Sequence, residues 1–141
     1  FQEAKRRNVG ILARVPLASG LLTGKMSRSS SFAADDHRQY NRHGESFDRG
    51  ETFSGVDYET GLAAVDEIKA IAPQGVPLAQ FALRWILMFD AVSCAIPGAK
   101  NPAQAESNAA AADLPPLSQS QMQAVEQIYG KYIHEQVHHR W

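Results

Sequence analysis

The stretch Val92-Ser-Cys-Ala-Ile-Pro-Gly-Ala-Lys-Asn-Pro-Ala-Gln-Ala-Glu-Ser-Asn108 decides the fold. Val92–Ile96 is a short apolar run stopped by Pro97 and Gly98, the pattern of a buried strand. Gly98 lets the backbone approach a ligand closely, and a helix opens near Pro102. Helix N-termini present free amide N–H groups and a partial positive charge, so they attract phosphate. Lys100 adds a cation just ahead of that terminus. Gln104 and Asn108 stand i, i+4 on one helix face, where two side-chain amides suit a planar base. Strand–glycine–helix junctions are common, however, and surface amides mostly do no more than solvate. The stretch sets the local fold and suggests an anion site.

Working outward, Val9-Gly-Ile-Leu-Ala-Arg14 is a second short strand, ended by Pro16. Pro16-Leu-Ala-Ser-Gly-Leu-Leu-Thr-Gly-Lys25 follows it as a glycine-punctuated turn. Its glycines and Ser19 suit a pyrophosphate, with Lys25 and Arg38 as charge partners, although the spacing does not match a P-loop. Residues 26–57 then carry few periodic apolar positions and many Ser, Asp, Arg and Gly. A loop of that length in a compact domain is typically a lid or a disordered segment.

Regular structure resumes at Asp57, a capping residue for a helix carrying Leu62, Val65, Ile68 and Ile71. Pro77 suits the first turn of the next helix, whose Leu78, Phe81, Ala82, Trp85, Ile86 and Phe89 form one broad apolar face. The helix from Pro102 runs to Ala112, and Asp113-Leu-Pro-Pro-Leu117 breaks it. Ser118 and Gln121 form a capping box for a last helix with Met122, Val125, Ile128, Tyr129 and Ile133, the C-terminal helix and tail of residues 118–141.

Strands alternating with helices predict an α/β fold with a parallel sheet. Two strands close no sheet, and their bare edges require covering or further strands. The chain starts at Phe1, and Phe1–Asn8 reads as the end of a helix already under way, so the missing strands are expected upstream.

Composition narrows the function. The chain has 141 residues, 44% hydrophobic and 21% charged, the profile of a single globular unit. A net charge of −1 and a pI near 6.6 point away from nucleic acid and anionic membranes. The run Phe81–Phe89 is interrupted by Arg84 and falls short of the roughly 20 residues that span a bilayer. A lone Cys94 excludes an internal disulfide, fits a reducing cytoplasmic setting, and reads as a small core residue. Residues 1–50 hold nine basic and five acidic side chains, while residues 51–141 hold five and ten, so the first part is where an anionic ligand is sought, the alternative being that its arginines are solvated loop charges. His134, His138 and His139 lack a His-Glu-x-x-His pattern and read as a polar, fraying tail, and no metal site is expected.

In this order and at these spacings, Val15-Pro-Leu-Ala-Ser-Gly-Leu-Leu-Thr-Gly-Lys25 and Ile96-Pro-Gly-Ala-Lys-Asn-Pro-Ala-Gln-Ala-Glu-Ser-Asn108 resemble two segments of the aldo-keto reductase family. The first is similar to its strand-seven loop, Ser-Pro-Leu-x-x-Gly-hydrophobic-hydrophobic-x-Gly-Lys. The second is similar to its strand-eight segment, Ile-Pro-Gly-x-x-x-x-x-Gln-x-x-x-Asn, and Leu78-Ala-Gln-Phe-Ala-Leu-Arg-Trp85 resembles the helix between them. The resemblance implies that residues 1–141 are the C-terminal portion of a (β/α)8 TIM barrel, incomplete in this chain, with 26–57 as a lid-like loop. A whole barrel takes about 250 residues.

The resemblance further implies NADPH as cofactor and reduction of an aldehyde or ketone by the parent enzyme. Pro16, Leu17, Ala18 and Ser19 would line the pyrophosphate and nicotinamide-ribose side, and Lys25 would meet the pyrophosphate. Arg38 matches a family arginine on the lid. Gly98, Lys100, Gln104, Ser107 and Asn108 would surround the adenosine 2′-phosphate and adenine, Ser107 standing where many members have Glu. Arg14 and Val15 replace an aromatic residue and Ser. The family's Tyr, Lys, Asp and His come from the first half of the barrel, so no catalytic residue is expected here, and Tyr129 and Tyr132 read as helix packing. The expected partners are a small carbonyl substrate and either the missing barrel half or a second copy. The alternative is a catalytically inactive nucleotide-binding or interaction module, akin to the auxiliary channel subunits that share this fold.

Overall fold

A computed structural model describes residues 1–140; Trp141, the last residue of the expected tail, lies outside the described residues. Two strands, β1 (Ile11–Arg14) and β2 (Val92–Ile96), run parallel. Leu12 pairs with Cys94, Ala13 with Ala95 and Arg14 with Ile96, after an irregularity between Ile11 and Leu12. A helix, α1 (Gln2–Arg6), precedes β1.

Side chains alternate across a strand. Ile11, Ala13 and Ala95 are half-buried, whereas Leu12, Arg14, Cys94 and Ile96 are exposed. Leu12 and Ile96 keep 63% and 52% of their surface in solvent. Cys94 is therefore not a core residue as the strand pattern suggested: its register partner is Leu12, on the face that no helix covers.

The connection from β1 to β2 holds most of the core. α3 (Tyr58–Ile71) starts where the Asp57 carboxylate accepts the Thr60 N–H at 2.9 Å. α4 (Leu78–Ile86) starts at Pro77, which sits at the cap rather than inside the first turn. Leu62 and Val65 of α3 and Leu78 and Phe81 of α4 join Leu21, Phe53, Tyr58 and Leu117 in one buried cluster. Tyr58 opens α3, so three of these eight residues, Leu21, Phe53 and Leu117, come from outside the two long helices.

The polar stretch before α3 is folded, not bare loop. It contains α2 (His37–Tyr40) and tight helical turns at Arg49–Glu51 and Phe53–Gly55. Asn41 is fully buried, and its carbonyl oxygen accepts the N–H groups of Ser46 and Phe47, each at 2.8 Å. Thr52 and Phe53 are 1% exposed. A side-chain amide replaces the backbone ladder, so no hydrophobic period marks the segment.

After β2, α5 (Pro102–Ala109) ends in a tight turn at Ala110–Asp113 with Ala111 buried. α6 (Gln119–Ile128) opens with the expected Ser118–Gln121 capping box. It runs on through a wider turn at Tyr129–Ile133 into α7 (His134–Val137). The tail is helical rather than frayed, because Val137 is buried and Gln136 accepts the Asp57 N–H at 2.8 Å. No helix among the described residues is long and apolar enough to cross a membrane.

Candidate functional site

Because β1 and β2 are parallel and in register at Arg14 and Ile96, the segments that follow them leave from the same end of the sheet. In parallel α/β sheets, ligands bind at the carboxyl ends of the strands.

On the β1 side, Pro16 is buried and Leu17, Ala18 and Ser19 are half-buried. Val15, Ala18 and Ser19 take φ of 49°, 47° and 57°, a left-handed conformation that disfavours side chains and needs fixing from outside. The Ser19 hydroxyl oxygen accepts the Phe53 N–H at 3.1 Å, and Phe53 is driven into the core. Arg38 donates from Nη1 to the Ser19 carbonyl at 3.4 Å.

Arg38 is itself clamped. Its Nε and Nη2 donate to the two Asp36 carboxylate oxygens at 2.9 and 2.5 Å, and the guanidinium lies 4.5 Å over the Phe32 ring. This pairing holds the Asp36 carboxyl far below the usual carboxylate range and raises Arg38 further. Arg14 donates from both terminal nitrogens to the Glu51 carboxylate, at 3.3 and 3.0 Å. Lys25 is exposed, and its ammonium makes no ion pair among the described residues.

On the β2 side, Gly98 is exposed and a Cβ built there would meet nothing within 4 Å. The Asn101 side chain caps α5 by accepting the Gln104 N–H at 2.9 Å. Gln104 in turn accepts the Lys100 N–H at 2.7 Å, and Asn108 donates to the Gly98 carbonyl at 3.2 Å. The i, i+4 amides thus reach the same short loop. Ser107 faces the other way, accepting from Gln80 through its carbonyl and hydroxyl at 2.8 and 3.2 Å.

The structure brings Ser19 to Arg38, and Lys100, Gln104 and Asn108 to the Gly98 loop. The sequence reading missed Asp36, Glu51, Phe53 and Asn101, the residues that hold those side chains. Only the alternation Asp36-His-Arg38 and the Asn101-Pro cap were visible signals. The open space at Gly98, the α5 N-terminus and Lys100, which makes no ion pair among the described residues, fit an anionic group. Arg38 fits one less simply, since Asp36 already balances its charge. Among the described residues no three His, Cys, Asp or Glu side chains gather into a metal-holding group.

The family model for the aldo/keto reductase family matches residues 1–130. The chain is similar to L-glyceraldehyde 3-phosphate reductase of Escherichia coli, 32% identical over 124 residues. That match takes in 87% of this chain but 34% of the relative. Among solved structures it resembles a glycerol dehydrogenase from Gluconobacter oxydans, with a TM-score of 0.72 and 30% identity over 94% of this chain and 37% of that one. An aldo-keto reductase from Bacillus halodurans in its apo form shares the fold at a TM-score of 0.59 and 20% identity, over 91% of this chain and 37% of that one. The chain thus spans about a third of the length of each.

Proposed function

The chain belongs to the aldo/keto reductase family, and we propose that it supplies the cofactor-holding part of an NADPH-dependent reductase of aldehydes or ketones. When bound, the nicotinamide supplies the hydride for such a reduction. What this chain contributes is grip and orientation. The observation that carries the reading is that the two segments with anion-suited residues follow the carboxyl ends of one parallel pair.

On one side, the turn Pro16–Ser19 is held rigid from behind by Phe53, a pre-formed wall for the pyrophosphate and ribose, with Lys25 as counter-charge. On the other, Gly98 leaves room for close approach, and Lys100 with the α5 N-terminus supplies positive charge for the 2′-phosphate. Gln104 and Asn108 offer amides to the adenine. Arg38 joins the phosphates by sharing its guanidinium with Asp36. A 2′-phosphate contact of this kind is what separates NADPH from NADH.

A second reading, a nucleotide-holding module without turnover, is favoured by one feature. Three of the four tyrosine hydroxyls, those of Tyr58, Tyr129 and Tyr132, are taken up by the Ser27 carbonyl, His138 and Glu67, and Tyr40 packs edge-on against Phe47 in the polar stretch.

Titration of the purified chain with NADPH, followed by nucleotide fluorescence, tests the binding claim. The expected result is saturable binding that weakens at least tenfold in Lys100→Ala and is weaker for NADH. Equal affinity of wild type and Lys100→Ala contradicts the assignment. Oxidation of NADPH by added aldehyde would exclude the second reading.

A further inference from the structure

Behind the candidate site, the helical layer lines a cavity of about 330 Å3 that is partly open to solvent. The small residues Ala64 of α3 and Ala82 of α4 lie in its wall, whereas Gly61 is packed against Leu21. Trp85 and Tyr129 add aromatic walls. No residue of β1 or β2 lines the space, so it is separate from the uncovered sheet face. Nothing charged lines it either, and the Tyr129 hydroxyl is already bonded to His138 at 2.8 Å.

Apolar walls that face a gap forfeit dispersion contacts that an apolar guest restores. Water that enters the cavity from the open side finds almost no polar partner on these walls, so an apolar guest displaces it readily. An apolar cavity of about 150 Å3 lined by Leu, Ile and Phe stays dry and takes up benzene. This one has just over twice that volume. A charged guest would lose its hydration without a partner.

We propose that this cavity is a binding site for an uncharged two-ring aromatic compound of naphthalene or indole size. The assignment does not depend on the nucleotide reading. Pro16 and Ala18 belong both to the cavity wall and to the turn after β1. A guest therefore packs against the back of that turn and steadies it.

The probe is naphthalene, added to the 141-residue chain and followed by thermal unfolding and by the NMR signal of the Trp85 indole N–H. The expected result is a raised Tm and a displaced Trp85 signal that saturates. Ala64→Leu and Ala82→Leu fill the space; each should raise the Tm without ligand and weaken naphthalene binding at least tenfold. Naphthalene-2-sulfonate is a control that needs neither variant to fold, and it should bind at least tenfold more weakly than naphthalene. No Tm change with naphthalene, an equal response in a folded Leu variant, or equal binding of the sulfonate would each overturn the proposal.

Discussion

The turn after β1 and the turn after β2 leave the same end of the sheet but are stabilised in opposite ways. Behind the first, a polar segment inserts Phe53 into the core, fixes Ser19 through the Phe53 N–H and clamps Arg38 with Asp36. The second lies exposed and is held by its own amides, Gln104 on Lys100 and Asn108 on Gly98. A wall set by burial is rigid before any ligand arrives. A loop held by surface hydrogen bonds can exchange them for contacts to a ligand at small cost, since each contributes only about 0.5–1.5 kcal/mol net. The pair thus combines a fixed wall with an adaptable one.

Substitutions should separate the two sides. The largest effect is expected at Phe53: Phe53→Ala should cost about 3–5 kcal/mol in urea unfolding, as burial of a whole aromatic ring is lost. Ile96→Ala, on the open sheet face, should stay within about 0.5 kcal/mol. A comparable loss at both positions would mean that the sheet face is covered and the contrast is wrong.

Next comes Asn41, whose amide organises the segment. Asn41→Ala should cost about 1–3 kcal/mol, because the N–H groups of Ser46 and Phe47 lose their acceptor. Hydrogen exchange should quicken at those two amides and not at residues 98–108. Uniform quickening would dissolve the distinction between the sides.

Acid should loosen the first side selectively. Asp36 has a folded pKa far below its ordinary value, so over that interval the unfolded chain binds more protons and stability rises with pH. The contribution is complete above about pH 4 and is lost as the pH falls toward the folded value. Asp36→Asn should flatten that limb of a pH–stability curve. An unchanged slope would show that the Arg38 pairing does not hold the segment.

The smallest stability effect is expected on the second side. Lys100→Ala should change unfolding free energy by less than about 0.5 kcal/mol, since the side chain is exposed and its ammonium makes no ion pair among the described residues. A large loss would make Lys100 a structural residue and remove it from the ligand face.

Both strands, α3 and the α6 capping box were legible because each rests on local pattern: short apolar runs, helical spacing, and capping residues at the right offset. The pairing of Gln104 and Asn108 with one loop was legible for the same reason, being an i, i+4 relation. Residues 26–57 were not. Their order comes from the buried amide of Asn41 and from one anchoring ring, Phe53, and neither leaves a period in the sequence. Cys94 misled because alternation tells which residues share a face but not whether that face is covered. The Asp36 clamp on Arg38 was hidden because a charge run shows signs, not partners.

Hydrogen–deuterium exchange of the chain with and without saturating NADPH tests the central claim most directly. The account predicts slowed exchange in both residues 16–25 and residues 98–108, with the larger change in the exposed second segment. Protection of neither segment, or of one alone, would contradict a nucleotide site built from the two strand ends.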